Sequence, residues 1–356
     1  MNDLLTLHFF KGLTNVQKRL FAQESARCNT SLKAIIFNAL KHVNDLEKQW
    51  SNARENAAQE AAICQREGVS ILTADDVDNF PSFLLEIPDP PVALFGRGTW
   101  SNQKVPLAVI GARKSTHYGN HQCKRFVEDL SRFPINIISG LALGIDATAH
   151  RTAVDCGAST QAFLAGGLAH LSPPRHARLA QQILDAGGGY FTEQPFYTAS
   201  LPQFYPVRNR LIAGSSLATL IVEAARKSGA MITANQAFQY GREVYALPGA
   251  LYQPMSAGPN RLIAEDIARL VMDAEHLVSS FYPIWAKKEP QIDLSQALEG
   301  LLIQHFPHGR KVHSAYLKSK INVSNSQLFK SLQVLLDLGV IAKIGPHTYV
   351  RKTAGH

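Results

Sequence analysis

"PLAVIGARKSTHYG", residues 106–119, indicates the fold class of this 356-residue chain. An apolar run ends at Gly111, small and basic residues follow, and a helical pattern begins near Tyr118. A buried strand that turns at a glycine into a helix is typical of the first half of a βαβ unit. The stretch therefore predicts a strand, a short turn and a helix.

The same alternation of apolar runs and helical segments continues to about residue 280. The apolar runs are VSIL, VALF, PLAVIG, NIISG, TQAFLAGG, GYFTE, ATLIVEA and EVYALPG. Helix-like segments of about 10 to 15 residues separate several of them, as in βαβ units with a parallel sheet. Most runs end in glycine or a small polar residue, and open α/β sheets bind ligands at the carboxyl ends of their strands. We expect an α/β domain over residues 67–282.

The segment that precedes this domain, residues 1–66, has only helical patterns. "LLTLHFFKGLTNVQKRLF" and "LKAIIFNALKHV" place apolar residues at intervals close to 3.6. "ARENAAQEAAICQREG" is an alanine-rich helix that ends at Gly68. Residues 1–66 are therefore predicted to form a separate helical domain.

A second small domain follows the α/β region. We predict a linker at residues 283–292 and a domain at residues 293–356, with three helices followed by two short strands. Ser324 is the expected N-cap and Gly339 the expected C-cap of the third helix. This order of elements is typical of a winged helix.

The charge of the chain increases toward its C-terminus. The formal net charge is +8, with 36 Lys and Arg against 28 Asp and Glu. Residues 281–356 carry 10 basic and 4 acidic side chains, whereas residues 1–100 carry 10 and 12. This distribution is compatible with a polyanionic partner, although a lysine-rich solvated surface would produce the same numbers.

Cysteine and histidine spacing argues against metal and redox chemistry. The four cysteines are far apart and form no C-x-x-C pair, which indicates a reducing compartment. The thirteen histidines include no H-E-x-x-H motif, so we expect neither a metal nor another cofactor. No signal peptide and no 18-residue apolar run occur. We therefore expect a cytoplasmic protein without a membrane partner.

The first candidate site is the turn that contains Gly111, Arg113, Lys114 and Ser115. Free backbone N–H groups at a strand-to-helix turn favour an anion, and the two basic residues add positive charge. The turn lacks the second glycine of G-x-G-x-x-G and is not a Walker A motif. It is predicted to bind phosphate, the alternative being an ordinary βα turn.

The second candidate site is "ISGLALGIDATAH", residues 138–150. Ser139, Asp146 and His150 could form a hydrolytic triad, and Asp146 and His150 lie four residues apart, within hydrogen-bonding reach on one helix face. However, Ser139 precedes the glycine-rich turn instead of occupying a G-x-S-x-G elbow. We favour a ligand cradle that includes Ser139 and Gly140, with Asp146 and His150 shaping the loop.

The third candidate site is "FYPVRNRLIAG", residues 204–214. Arg208, Asn209 and Arg210 present two guanidinium groups and an amide, which suit phosphate oxygens and base edges. An internal ion pair of one arginine with Glu223 or Asp146 is equally compatible with the sequence.

The fourth candidate site is "IVEAARKSGAMITA", residues 221–234, where a strand again leads into a basic turn and a helix. Glu223 ends the strand and is expected to shape the loop. Lys227, Ser228 and Gly229 are the phosphate-binding candidates of this turn.

In this order, these motifs resemble the DNA-processing protein A (DprA/Smf) family. "FPSFLLEIPDPPVALFGRG" upstream and "ALPG" and "SAGPNRLI" downstream extend the match to roughly residues 69–275. The resemblance implies an extended Rossmann-like fold for the α/β domain. It also implies a sterile-alpha-motif-like (SAM-like) domain for residues 1–66 and a winged helix at the C-terminus.

The resemblance also implies a function. Members of the family bind single-stranded DNA, are not known as enzymes, protect incoming strands during natural transformation, load the recombinase RecA and act as homodimers. The DNA-contacting candidates that it implies here are Arg113, Lys114, Ser115, Ser139, Gly140, Arg208, Arg210 and Lys227.

Two other functions remain open from the sequence. One is a nucleotide-hydrolysing Rossmann-like enzyme of the phosphoribohydrolase type, although "AGSSLATLIVEA" lacks the glycine cluster of that group. The other is a duplex-DNA regulator in which Ser324–Lys330 of the winged helix would enter a major groove. The same helix would also suit a protein partner.

Overall fold

The computed structural model describes residues 3–76, 78–286, 302–306, 311–321, 325–337, 340–345 and 348–351. The chain divides into two compact units, Met1–Pro283 and Ile284–His356. In the described residues, no helix is long and apolar enough to cross a membrane.

The first unit begins with four helices: α1 (Asp3–Phe9), α2 (Asn15–Cys28), α3 (Leu32–Ala39) and α4 (Leu46–Glu67). Thr14 caps α2 by accepting a hydrogen bond from the Gln17 N–H, and α4 ends at Gly68 in the left-handed conformation (φ 63°). Ala57 and Cys64 of α4 pack in one core cluster with strand residues. The region is helical, as its periodicity predicts, and its assignment as a SAM-like domain stays a prediction.

A nine-stranded sheet forms the centre of the first unit. Its strands are β1 (Ser70–Thr73), β2 (Ala93–Gly98), β3 (Val105–Ile110), β4 (Ile135–Ser139), β5 (Ser159–Phe163), β6 (Gly189–Thr192), β7 (Ala218–Ile221), β8 (Glu243–Ala246) and β9 (Arg269–Leu270). The spatial order is β1-β2-β6-β5-β4-β3-β7-β8-β9. From β6 to β9 all neighbours are parallel, and β1 and β2 add an antiparallel edge. The predicted α/β fold with a largely parallel sheet is confirmed.

Helices cover both faces of this sheet. They are α5 (His117–Leu130), α6 (Ile145–Asp155), α7 (Ala177–Asp185), α8 (Phe204–Gly214), α9 (Gly229–Gln239), α10 (Ala257–Ala264) and α11 (Ala274–Ala286). Successive strand residues belong to opposite cores: Phe163 packs in the cluster that contains Leu211 of α8, and Ala162 in the cluster that contains Leu179 of α7. Strands buried on both faces explain the continuous apolar runs of the sequence.

The direction of the winding reverses at β3. From β3 the chain passes through β4 and β5 to β6 on one side, and it then returns to place β7 and β8 on the other side. The carboxyl ends of β3, β4 and β7 are therefore adjacent at a topological switch point, where open α/β sheets bind ligands.

The second unit contains β10 (Lys311–His313), α12 (Ser314–Lys320), α13 (Asn325–Asp337), β11 (Ile341–Gly345) and β12 (Thr348–Arg351). Its strands form an antiparallel sheet in the order β10-β12-β11 over an apolar core. Two helices and the two-stranded hairpin of the predicted three-helix, two-strand order are described, and β10 is an additional strand. The assignment as a winged helix stays a prediction. The start of the predicted linker is helical, because α11 continues to Ala286, and the predicted caps Ser324 and Gly339 lie outside the described residues.

Candidate functional site

A cleft of about 400 Å³ lies at the switch point, at the carboxyl ends of β3 and β7. Its walls come from the turns after β3, β4 and β7 and from α8 and α9. Of the predicted site residues, the cleft brings together Gly111, Arg113, Lys114, Asp146, Arg208, Asn209, Ser228 and Gly229. Four separate sequence motifs thus meet in one place.

Arg113 and Lys114 supply exposed positive charge at the cleft. The Arg113 guanidinium lies 4.6 Å from the centre of the Tyr205 ring, a cation–π distance. None of the ion pairs formed within the described residues involves Arg113 or Lys114. Both cations are therefore available to an anionic ligand.

Glu223 fixes the turn that carries these two cations. Buried at the end of β7, it accepts hydrogen bonds from the Thr116 N–H (2.9 Å) and the Thr116 hydroxyl. Thr116 in turn caps α5 by accepting from the Gly119 N–H (3.1 Å). A Cβ on Gly119 would lie 2.1 Å from Glu223 Oε2, so the close approach of the carboxylate requires glycine at this position.

Asp146 fixes the turn after β4. Its Oδ2 accepts the N–H groups of Gly140 (3.2 Å) and Ala142 (3.4 Å). Gly144 adopts φ 77° and ψ −126° and packs against the turn after β3. A Cβ on Gly144 would lie 2.1 Å from the Ala112 carbonyl oxygen. The Ile145 N–H donates to the same carbonyl (3.2 Å), so the two turns are joined through their backbones.

Arg208 is a buried cation at the base of the cleft. Its Nη1 donates to the carbonyls of Gly140 (2.6 Å) and Phe163 (2.5 Å), at the ends of β4 and β5. Burial lowers the pKa of Arg208 to about 10, with Asp146 opposing the shift, so the guanidinium stays protonated at neutral pH. Burial also raises the pKa of the Asp146 carboxyl, and Arg208 opposes that shift.

The structure does not place Ser139 and Gly140 as phosphate ligands. Ser139 is fully buried and its hydroxyl donates to the Val109 carbonyl (2.6 Å) on the neighbouring strand. The Gly140 N–H is bonded to Asp146 and its carbonyl to Arg208. Because these groups of Ser139 and Gly140 are hydrogen-bonded within the protein, both residues stabilise the turn next to the cleft and do not contact the ligand.

Arg210 is also a correction to the sequence-based prediction. Its guanidinium is buried and forms ion pairs with Asp89 (3.1 Å) and Glu193 (2.5 Å), away from the cleft. The internal ion pair that the sequence left open is therefore present, but with different carboxylates. Arg208 and Arg210 are two residues apart on α8, so their side chains point in different directions.

His150 does not bond Asp146, although their spacing of four residues allows such a bond. Its Nδ1 lies 2.7 Å from the Thr160 hydroxyl, which itself donates to the Ile137 carbonyl (2.9 Å). The hydroxyl therefore accepts from His150, whose proton is on Nδ1, and Nε2 is buried without a partner in the described structure. Burial lowers the pKa of His150 to about 3.

The turn after β7 contributes the opposite wall. The Asn209 amide donates to the Gly229 carbonyl (3.3 Å), which ties α8 to the start of α9. The Ser228 hydroxyl oxygen is buried and has no partner among the described residues. Lys227 is exposed next to Ser228 but does not line the cleft. Ser115 also lies outside the cleft, and its hydroxyl donates to Asn120 Oδ1 (2.8 Å).

Tyr205 is a functional candidate that the sequence motifs did not identify. Its half-buried ring lies between Arg113 and Arg208, whose guanidinium carbons are 4.6 and 5.9 Å from the ring centre. The signal that could have identified it is its position three residues before Arg208, which places both on one face of a helix.

The chemistry of the cleft favours a multiply charged anion. Three cations line it, and Asp146 is the one acidic side chain among the described lining residues. Within the described residues, no group of three or more His, Cys, Asp or Glu side chains could hold a metal ion. The cleft is thus suited to binding phosphate through N–H donors and positive charge.

Comparison with known proteins agrees with this description. Residues 70–282 match the sequence model of the family described as DNA recombination-mediator protein A. The chain is 40% identical over 206 residues to the protein Smf of Escherichia coli, an alignment that covers 58% of this chain and 55% of the relative. It is 34% identical over 200 residues to the DNA processing protein DprA of Bacillus subtilis, covering 56% and 67%. The chain thus spans about half to two thirds of the length of these relatives.

Two solved structures are similar in fold. DprA from Streptococcus pneumoniae matches with a TM-score of 0.67 and 26% identity, covering 78% of this chain and 98% of that one. DprA from Helicobacter pylori, whose structure describes a single-stranded DNA binding mode, matches with a TM-score of 0.54 and 25% identity, covering 60% and 95%. Since the family model matches more than half of the chain, at the ordered motifs that build the cleft, this protein belongs to the DNA recombination-mediator protein A (DprA/Smf) family.

Proposed function

We propose that the cleft at the carboxyl ends of β3 and β7 binds the phosphate groups of single-stranded DNA. The observation that carries this proposal is the pair of exposed cations, Arg113 and Lys114, which have no ion-pair partner among the described residues. Family membership and the DNA-binding relative from Helicobacter pylori support the choice of ligand.

Each element of the cleft has a separate task in this proposal. Arg113 and Lys114 neutralise phosphate, and the ring of Tyr205 holds Arg113 in place. Ser228, whose hydroxyl has no described partner, lies at the start of α9 and donates to a phosphate oxygen. The N–H groups in the first helical turn of α9 and the helix dipole also favour the phosphate. Lys227 extends the positive surface beside the cleft. Ser115 has a peripheral role.

The cleft gives little reason for sequence specificity. Phosphate groups are the same at every nucleotide, and the donors described here suit phosphate oxygens. Base contacts would come from stacking on exposed aromatic rings, which tolerates any sequence. The protein would then bind any incoming single strand, which is what protection of imported DNA requires.

For the whole protein we propose the role that family membership suggests. It protects single strands during natural transformation and recombination, loads the RecA recombinase onto them, acts as a homodimer in the cytoplasm and is not an enzyme. The winged-helix unit would contact duplex DNA or a protein partner. These roles rest on the family and on the cleft.

The cleft is tested by measuring single-strand affinity over a salt series. Each phosphate neutralised adds roughly −0.7 to the slope of log affinity against log salt for a single strand. We expect Arg113→Gln with Lys114→Gln to weaken binding and to make the slope shallower by about 1 to 1.5. The matched control is Arg27→Gln with Lys41→Gln, which removes the same charges from two exposed positions, one on α2 and one in the turn after α3.

Three results would contradict the proposal. An unchanged slope in the folded double variant would place the DNA elsewhere, with the winged helix as the next candidate. Equal affinity for duplex and single strand would remove the preference for single strands. Release of a base from a nucleoside monophosphate would instead favour the nucleotide-hydrolysing enzyme.

A further inference from the structure

A second cleft, of about 350 Å³, adjoins the first and has no role in the function proposed above. The turn after β4 separates them: Ala142 lines the first cleft, whereas Leu143 and Gly144 line the second. The other lining residues of the second cleft are Asn120, Ala147, Thr148, Arg151, Arg175 and His176. No acidic side chain is among these described lining residues.

The side-chain amide of Asn120 is oriented by its neighbours. Its Oδ1 accepts hydrogen bonds from the hydroxyls of Ser115 (2.8 Å) and Thr148 (3.1 Å). With the oxygen occupied by the protein, the NH₂ group with its two donors is left for the cleft that Asn120 lines. The first turn and α6 therefore fix a donor at this site.

Arg151 on α6 and Arg175 on the 3₁₀ turn Pro174–His176 contribute the charge. Both side chains are exposed, and no ion pair within the described part of the chain involves either of them. Two guanidinium groups without carboxylate partners around one cavity create a local site for an anion.

His176 adds a buried polar group to the same cavity. It is 4% exposed, and its Nδ1 lies 2.8 Å from the Leu141 carbonyl, to which it must donate because a carbonyl only accepts. Its Nε2 therefore remains for the cleft that the side chain lines. The hydrogen bond also holds the 3₁₀ turn against the turn after β4, which separates the two clefts.

We propose that this second cleft is a phosphate subsite, in which Asn120, Arg151 and Arg175 bind a phosphodiester group of the same DNA strand that occupies the first cleft. The inference rests on the proposed function for the identity of the strand. Donor groups without acidic neighbours select an anion with several acceptor oxygens, and the shared turn Gly140–Gly144 makes the two sites continuous. The strand would cross this turn from one cleft to the other.

The test uses the full-length protein and the double variant Arg151→Gln with Arg175→Gln. Glutamine keeps most of the side-chain length and removes the charge. We expect the salt-dependence slope for a thymidine 12-mer to become shallower by about 0.7, the value for one phosphate. Arg27→Gln with Arg54→Gln, two exposed arginines on α2 and α4, is the matched control and should leave the slope unchanged.

A second measurement reports on the site without a variant. In ¹H–¹⁵N spectra of the wild-type protein, the Asn120 side-chain amide should shift on titration with the 12-mer and, more weakly, with inorganic phosphate. Saturation by inorganic phosphate with no response to the 12-mer would mean a site for free phosphate and would overturn the assignment to the strand.

The two measurements separate failure of the subsite from failure of the proposed function. If the wild type binds no single-stranded DNA, the proposed function fails, while an Asn120 shift with inorganic phosphate still supports an anion site in the second cleft. If Asn120 is silent in both titrations and the variant keeps the wild-type slope, the second site is overturned even though DNA binds.

Discussion

The guanidinium of Arg208 occupies the space that a side chain at position 140 would need. Its Nη1 donates to the Gly140 carbonyl at 2.6 Å, and a Cβ on Gly140 would lie 2.1 Å from that same nitrogen. The arginine of α8 and the glycine after β4 therefore form one structural unit at the base of the cleft.

We predict that Gly140→Ala destabilises the protein through Arg208. The added methyl group displaces a buried guanidinium that makes two hydrogen bonds, at a cost of about 1 to 3 kcal/mol in the free energy of unfolding. Arg208→Met should cost about 3 kcal/mol, because it leaves two carbonyls unpaired and Asp146 without its neighbouring cation. Urea unfolding of both single variants and of the double variant measures the coupling.

The double variant should lose less stability than the sum of the two single variants, because both changes disrupt the same contact. Gly229→Ala is the control. At that position the nearest atom to an added Cβ is Asn209 Nδ2 at 4.0 Å, so stability should be retained. Strict additivity of Gly140→Ala and Arg208→Met would show that the two residues act independently.

We expect methionine at position 210 to affect stability and methionine at position 113 to affect DNA binding. Arg210→Met removes a buried partner of Asp89 and Glu193 and should lower the free energy of unfolding by about 3 kcal/mol. In the folded fraction its salt dependence of DNA binding should match the wild type. Arg113→Met should change the salt dependence of DNA binding and leave the free energy of unfolding within about 0.5 kcal/mol of the wild-type value, since the side chain is exposed. A shallower slope for Arg210→Met would restore it as a DNA ligand.

Tyr205 is predicted to act by holding Arg113. Tyr205→Leu removes the ring under the guanidinium and should reduce single-strand affinity by about threefold, in keeping with a cation–π contribution of about 0.5 to 1 kcal/mol. Tyr205→Phe keeps the ring and loses the hydroxyl contact with Ser172 (3.1 Å), so its affinity should stay near that of the wild type. Equal losses in the two variants, measured by fluorescence anisotropy, would assign the effect to the hydroxyl instead.

His150 should make stability dependent on pH. Its pKa is lowered from 6.5 to about 3 in the folded protein, by burial and by the nearby His176 and Arg208. The unfolded chain therefore binds a proton between pH 6.5 and 3 that the folded chain does not, and stability is lost as the pH falls through this window. From pH 7 to pH 4 the loss from this one group is on the order of 3 kcal/mol.

Urea unfolding at several pH values measures this dependence. We expect His150→Gln to be less stable at pH 7 but to lose less further stability on acidification than the wild type. His121→Gln, at an exposed position on α5, is the control and should follow the wild-type curve. Parallel curves for His150→Gln and the wild type would contradict the assignment of a buried neutral imidazole.

The sequence by itself determined the architecture of the α/β unit. Apolar runs that end in glycine and alternate with helical segments specify strands buried on both faces, and therefore a parallel sheet covered by helices. The strand before Gly111 and the helix that follows it lie where the quoted stretch predicts them, with β3 ending at Ile110 and α5 beginning at His117. A strand and the helix after it are specified by residues close together in the chain, so local sequence patterns were sufficient to predict them.

Which cations face a ligand was decided only by the tertiary structure. The motif "YPVRNR" offers two arginines of equal chemistry, yet Arg208 bonds carbonyls from β4 and β5, and Arg210 pairs with Asp89 and Glu193. Those partners are distant in sequence and are brought together by the winding of the sheet. Whether a charged side chain can bind a ligand or is paired inside the protein depends on the residues that pack around it. Burial of this kind has no local signature in the sequence.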